Sequence, residues 1–398
     1  MQRRRFLQAG AALAGLTALP HHGTAKLTRE APILVVVELS GGNDGLNSIV
    51  PFADDAYYRH RPGIGIRQPE LLPLDDHFGF NPGMLGLQRL WQRGQLAIVH
   101  GCGYAQPSYS HFTSMAYWHT GVPHRGNEFG WLGRVADQMA SSRRDDMLVN
   151  VASTASLAVK SKVHTPVVFD DPDRFWRNGW LDGVPSIAVD VDQDTGTGKT
   201  DNTNAAYLEA VNRSAQQSSA RIRQAWNDYT TPVDYGIAPM DLPKVAACIE
   251  AGLNTQIYHV AFRNNAFDTH VAQPALHRRL LSYACDGIHG FIRDVERLQQ
   301  AHRVVVLVYS EFGRRVSENA NQGTDHGTAN AMFLAGVPVT GGHYGQRADL
   351  VNLVEGDNLA HTTDFRQVYA TVMERWLGVP AKAVLFDEFA MIDALTPL

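Results

Sequence analysis

Val304-Val-Val-Leu-Val-Tyr-Ser310, running on through Glu311-Phe-Gly-Arg314 to Gly323-Thr-Asp325-His326-Gly327, decides the fold of this chain. The first seven residues, all but Ser310 β-branched or apolar, predict a buried strand. A loop of turn formers follows from Asn319 to Thr328, with Asp325 and His326 side by side. Ala331–Leu334 predicts a second short strand, and a glycine-rich segment carries His343. In open α/β sheets, functional groups gather just beyond the carboxyl ends of the strands. Asp325, His326 and His343 occupy that kind of position, and their oxygen and nitrogen atoms suit a divalent metal ion. A plain turn, with Asp325 capping its own backbone, is the alternative for the pair alone.

Working outward, the same pattern recurs. Ile33–Leu39 is a continuous apolar run and predicts a central strand. It ends in Ser40-Gly-Gly-Asn-Asp44-Gly, which places Asp44 beside Asp325 in topological terms. Gly83–Gly94 has helical apolar spacing at Met84, Leu87, Leu90 and Trp91, with Gly94 suited to the C-cap, and Leu96–Val99 predicts the next strand. This βαβ rhythm predicts a mostly parallel sheet. Later come a helix near Leu242–Ala251, a strand at Gln256–Phe262 and, just past it, Asp268-Thr-His270. A long helix is expected over Ala275–His302, with Arg278, Arg279, Asp294 and Arg297 on a solvated face. Asp364–Leu377 predicts an amphipathic helix with Trp376 in the core.

Residues 1–25 carry Arg3-Arg4-Arg5-Phe6-Leu7 and a weakly apolar run to Leu19, the pattern of a twin-arginine export signal. Cleavage near Ala25 would leave one domain, residues 26–398, exported folded to the periplasm or beyond and not integral to the membrane. Removing the three signal arginines takes the formal charge from −5 to −8. That balance, with no basic patch interleaved with aromatics, points away from nucleic acid. Cys102, Cys248 and Cys285 are far apart with no paired spacing and are expected to be buried free thiols. Residues 141–235 are more polar and read as an elaboration beside the main sheet, with a polar helix over Asn204–Asn227. Its Asp171-Pro-Asp173 and Asp192-Gln-Asp194 pairs read as solvated loops, because nothing supplies a full set of calcium ligands.

Gln106-Pro-Ser108-Tyr-Ser110-His111-Phe-Thr113-Ser114 carries helix-start signals. A hydroxyl there faces free backbone amides, so it is either an N-cap or a nucleophile whose charge the helix end stabilises. Asp44, this hydroxyl segment, Asp268-His270, Asp325-His326 and His343, in that order, resemble the alkaline phosphatase, phosphopentomutase and sulfatase superfamily. More closely, Leu39–Leu46, Ser110–Gly121, Phe267–Gln273, Tyr309–Arg314, Gly323–Gly327 and Thr363–Tyr369 resemble the twin-arginine-exported DUF1501 family. The resemblance implies a three-layer α/β/α, alkaline phosphatase-like fold and a hydrolase of small anionic phosphate or sulfate esters with two zinc or manganese ions. One ion would take Asp44, Asp325, His326 and the Ser110 oxygen; the other would take Asp268, His270 and His343. Ser110 would be the nucleophile, and Arg314 would hold a non-bridging oxygen. Ser108, Thr113 or Ser114 could replace Ser110. The Asp268-x-His270 spacing departs from the superfamily's Asp-x-x-x-His and leaves His277 open as a ligand. The segment also lacks the Cys-x-Pro-x-Arg of sulfatases. A non-catalytic binding or assembly protein on the same fold is the competing expectation.

Overall fold

The computed structural model describes residues 30–142, 144, 146–175 and 217–396. The expected signal at 1–25, the Asp192–Asp194 loop and the beginning of the Asn204–Asn227 helix lie outside the described residues. From residue 217 that helix is present and runs to 228.

Twelve strands are described. β1 is Ile33–Glu38, β2 Ile49–Val50, β3 Leu72–Pro73, β4 Gly79–Phe80, β5 Leu96–Gly103 and β6 Leu148–Val151. β7 is Val167–Phe169, β8 Ile257–Ala261, β9 Val304–Tyr309, β10 Asn330–Ala335, β11 Gly342–Tyr344 and β12 Thr363–Asp364. Nine of them form one sheet in the order β11-β5-β10-β9-β1-β8-β6-β7, with β12 also paired to β5. Every pairing is parallel except the two made by β10. The chain therefore enters β10 at the edge where β9 has just left. The loop between them, carrying Asp325 and His326, stays at the carboxyl edge of the parallel strands.

The sheet is apolar on both faces, as continuous runs of valine and leucine require. Ile33, Val35 and Val37 of β1 pack under the helices Leu85–Gln92, Leu242–Glu250 and Gln273–Arg297. Leu34 and Val36 point the other way, into a layer holding Trp118, Trp131, Tyr369 and Trp376. The result is a three-layer α/β/α protein with a mostly parallel sheet. Trp376 is core, and its indole N–H donates to the Ile33 carbonyl at 2.9 Å.

Several elements differ from the expectation. β5 runs on to Gly103. The long helix spans Gln273–Arg297, and its face is not all solvated. Asp294 is fully buried, accepting from the hydroxyls of Tyr229, Tyr235 and Thr231 and from Arg297 Nε. The polar 141–235 stretch also supplies two strands of the main sheet, β6 and β7, whose apolar side chains except Val168 sit in the core. Helix Phe365–Thr371 is capped by Asp364 and continues as a π-type turn over Val372–Leu377. Cys102, Cys248 and Cys285 are free and buried.

Candidate metal centre

Four loops meet at the carboxyl edge. The first follows β1, where Gly41 has φ +117° and a β-carbon would lie 2.5 Å from the Asp268 backbone nitrogen, so only glycine is accommodated. Its N–H donates to Glu311 Oε1 at 2.8 Å. Glu311 follows β9 and is fully buried. The same Oε1 lies 2.8 Å from His111 Nδ1, at the first turn of the helix His111–Thr120. Asp268 and His270 follow β8, and Asp325 and His326 precede β10.

Arg314 ties these loops together. Its guanidinium is buried and donates to the carbonyls of Gly41, Gly42, Phe267 and Thr324 and, at 2.8 Å, to Asp268 Oδ1. With those partners it braces the loops and orients Asp268.

Three imidazoles surround Asp268. His326 Nε2 and His270 Nε2 each lie 3.0 Å from Oδ1, and His111 Nε2 lies 3.4 Å from Oδ2. The two nitrogens of His270 and His326 are themselves 3.0 Å apart. The far side of each ring meets an acceptor. His111 Nδ1 faces the Glu311 carboxylate, His270 Nδ1 faces Asp325 Oδ1 at 3.1 Å, and His326 Nδ1 faces the Tyr109 carbonyl at 2.8 Å. Each Nε2 faces the Asp268 carboxylate, which also only accepts, so every ring has acceptors at both nitrogens and a neutral ring's single proton satisfies one of them. With the protons on Nδ1, three Nε2 lone pairs converge on the carboxylate, an arrangement that a cation among them relieves. His111 Nε2 is buried without a hydrogen-bond partner. Carboxylates or carbonyls behind metal-facing imidazoles are how proteins orient such ligands. His111, Asp268 and His326 offer ligand atoms all within 4.8 Å of one another.

The electrostatics agree. Burial opposes the Asp268 anion, but the hydrogen bonds from His326 and Arg314 hold its pKa at about 2. The Glu311 hydrogen bond raises that of His111, and burial lowers that of His326. Phe312 walls the site, its ring centroid 5.0 Å from that of His111 and 4.5 Å from that of His326.

A second cluster, Glu38 with His119 and His259, looks similar by residue type. Here the tautomer of one ring is fixed. Asn150 Oδ1 accepts from the Ser156 N–H, so its amide NH2 faces His259 Nδ1 at 3.2 Å and the neutral ring carries its proton on Nε2, toward Glu38. Ser40, Tyr309 and His119 also bond the Glu38 carboxylate. It is a buried anion surrounded by donors, with the unprotonated nitrogen of His259 turned away toward Asn150.

Two expected ligands stand elsewhere. Asp44 is buried, with Oδ2 2.7 Å from Arg61 Nη1 and 2.6 Å from Gln273 Nε2, and Oδ1 accepts from the Asn47 N–H. His343 lies in β11 opposite Ile98, against His100, Asp75, Phe78 and Trp91. His277 is buried on Asn43 Oδ1 at 2.9 Å, with burial lowering its pKa to about 4. Ser110 is exposed at the N-cap and makes no side-chain capping bond. Ser114 is fully buried, donating to the Glu311 carbonyl at 2.6 Å. Sequence reasoning missed His111 and Glu311. The available signals were a histidine directly after the candidate serine and an acid directly after β9.

Fold and site together define an α/β/α protein with a histidine–carboxylate centre at the carboxyl edge of its sheet. The chain belongs to the family described as "Protein of unknown function (DUF1501)", whose model matches residues 31–385. Comparison with curated proteins finds no match. Among solved structures, the chain is similar to Ps i-CgsB at 9% identity and TM-score 0.38, covering 91% of this chain and 75% of that one. An alkaline phosphatase superfamily protein from Vibrio parahaemolyticus is 9% identical with TM-score 0.36, covering 80% and 64%. The PsFucS1 sulfatase from Pseudoalteromonas sp. is 11% identical with TM-score 0.34, covering 91% and 71%.

Proposed function

We propose that the protein is a metal-dependent hydrolase of small phosphate or sulfate esters. The observation that carries this reading is the convergence of three imidazole Nε2 atoms on the Asp268 carboxylate. His111, His270, His326 and Asp268 would hold one zinc or manganese ion, with Glu311, Asp325 and the Tyr109 carbonyl behind the rings. Such an ion supplies Lewis-acid polarisation of an ester oxygen.

The chain's own groups do the rest. Ser110 is the nucleophile of this reading, exposed at the start of a ten-residue helix whose first N–H groups are open to an anion. Its oxygen forms a bond to phosphorus or sulfur as the alcohol leaves, and water cleaves the resulting serine ester. Arg314 keeps Asp268 ionised and in place. The Arg3-Arg4-Arg5 segment supports export in the folded state by the twin-arginine machinery, which would place the activity in the periplasm. No helix among the described residues is long and apolar enough to cross a membrane.

The Asp44–Arg61 pair and the separate position of His343 favour one ion over two. They also favour the second reading, a binding or assembly protein that keeps a metal centre without turnover. Metal content measured by plasma mass spectrometry, followed by a panel of phosphate and sulfate esters, tests both. About one zinc or manganese ion per chain with turnover that Ser110→Ala abolishes supports the hydrolase. One ion without turnover selects the binding protein, and no metal uptake at all removes both metal readings.

A further inference from the structure

His343 belongs to a separate array. Asp75 caps its own turn, Oδ1 accepting the N–H groups of His77 at 2.7 Å and Phe78 at 2.6 Å. Its Oδ2 lies 3.1 Å from His343 Nε2. The carboxylate therefore fixes the His343 proton on Nε2 and leaves Nδ1 bare. That Nδ1 is 2.8 Å from His100 Nε2, so neutral His100 also carries its proton on Nε2. The two rings lie nearly parallel, 19° between planes, with Phe78 stacked on His100. At one end, Asp75 and His343 have about 30% of their side chains exposed. At the other, His100 is buried and lines a cavity of about 30 Å³ together with Gly45, Arg314 and Asn330. That is room for one water molecule.

We propose that Asp75, His343 and His100 form a proton path between solvent and the cavity beside Arg314. An excess proton on a cavity water enters at His100 Nδ1 while His100 Nε2–H passes to His343 Nδ1 and His343 Nε2–H passes to Asp75, and the cavity water is left neutral. Asp75 hands the proton to bulk water, and return of a proton along the same path restores both rings to their resting tautomers. Burial holds the His100 pKa at about 3, so a charged ring is disfavoured and the transfers are concerted. The other charged groups facing the array are Arg347, over the Phe78 ring, His77 in the Asp75 turn and Asp54 beyond it. The path operates whether or not an ester is hydrolysed nearby.

Nitrogen-15 histidine spectra of the full chain at pH 7, with peaks assigned by substitution, read both tautomers and the solvent exchange of the His100 ring proton. His343 and His100 are expected neutral with the proton on Nε2. Asp75→Asn keeps the turn-capping oxygen but is a poor proton acceptor, and His343→Gln removes the middle carrier. Each is expected to slow His100 ring-proton exchange by about tenfold. Slower exchange in either folded variant supports the path. An ordinary structural hydrogen bond predicts the reverse, because breaking it opens the ring to water. Unchanged or faster exchange in both variants overturns the path, and so does a His343 protonated on Nδ1.

Discussion

Replacing Arg61 by methionine should be among the most damaging single changes in the protein, although it lies outside the candidate centre. Arg61 is 0% exposed and Asp44 1%. Besides its 2.7 Å ion pair, Arg61 donates to Asn47 Oδ1 at 2.6 Å and to the carbonyls of Val316 and Arg315 at 2.8 and 3.0 Å. Removing one partner of a buried pair leaves an uncompensated charge, at a cost of about 3–5 kcal/mol. Arg61→Met/Asp44→Asn removes both charges and should recover roughly half of that loss. The pH dependence carries a definite sign. In the wild type, burial opposes the Asp44 anion, but Arg61 and His277 hold its pKa below normal. Its stabilising contribution is therefore present above the unfolded value of about 3.9 and is lost as pH falls. In Arg61→Met, burial acts unopposed by Arg61 and raises the Asp44 pKa, so the penalty grows with rising pH. Urea unfolding at pH 7 and near pH 4 measures both effects, provided the m-values match. A single-variant loss under about 1 kcal/mol, or a double variant no better than the single, would refute the reasoning.

Glu311→Gln should weaken zinc binding by about 10–100-fold, because His111 loses the charged acceptor behind its Nδ1; competition with a chromophoric chelator measures this, and unchanged affinity contradicts the assigned role. Glu38 is held well below the normal carboxylate range despite burial, by His119 and His259. Its contribution is present above about pH 4.3 and declines as pH falls, so Glu38→Gln should flatten the acid limb of the stability curve while lowering stability at pH 7. Burial raises the thiol pKa of all three cysteines, that of Cys248 to about 12. A thiol reagent should label none of them until the protein unfolds, and rapid labelling of the native chain would contradict their placement.

The sheet was legible because its strands are long apolar runs: Ile33–Glu38 and Val304–Tyr309 were read almost to the residue. Short strands such as Leu148–Val151 and Val167–Phe169 were lost in a polar neighbourhood, although all but Val168 are buried. Asp268, His270, Asp325 and His326 announced themselves through position just outside strands, and the structure brings them together. Asp44 follows the same positional rule, yet its side chain faces Arg61, and His343 stands inside β11 and faces His100. No periodicity encodes which way a loop side chain turns. Asp294 shows the same limit on a helix, where a charge on a polar-looking face is buried among hydroxyls from a distant loop.

The bonds that hold the four loops are almost all long-range. Glu311 meets His111 across 200 positions and Gly41 across 270, and Arg314 reaches Gly42 across 272. Contacts of that span close late, because loop-closure entropy must be met before they reward the chain. No contiguous fragment shorter than most of the domain contains the centre, and no early compact state should bind metal tightly. The centre thus behaves as a reporter of finished folding: the appearance of tight zinc binding during refolding should coincide with the last and slowest structural phase.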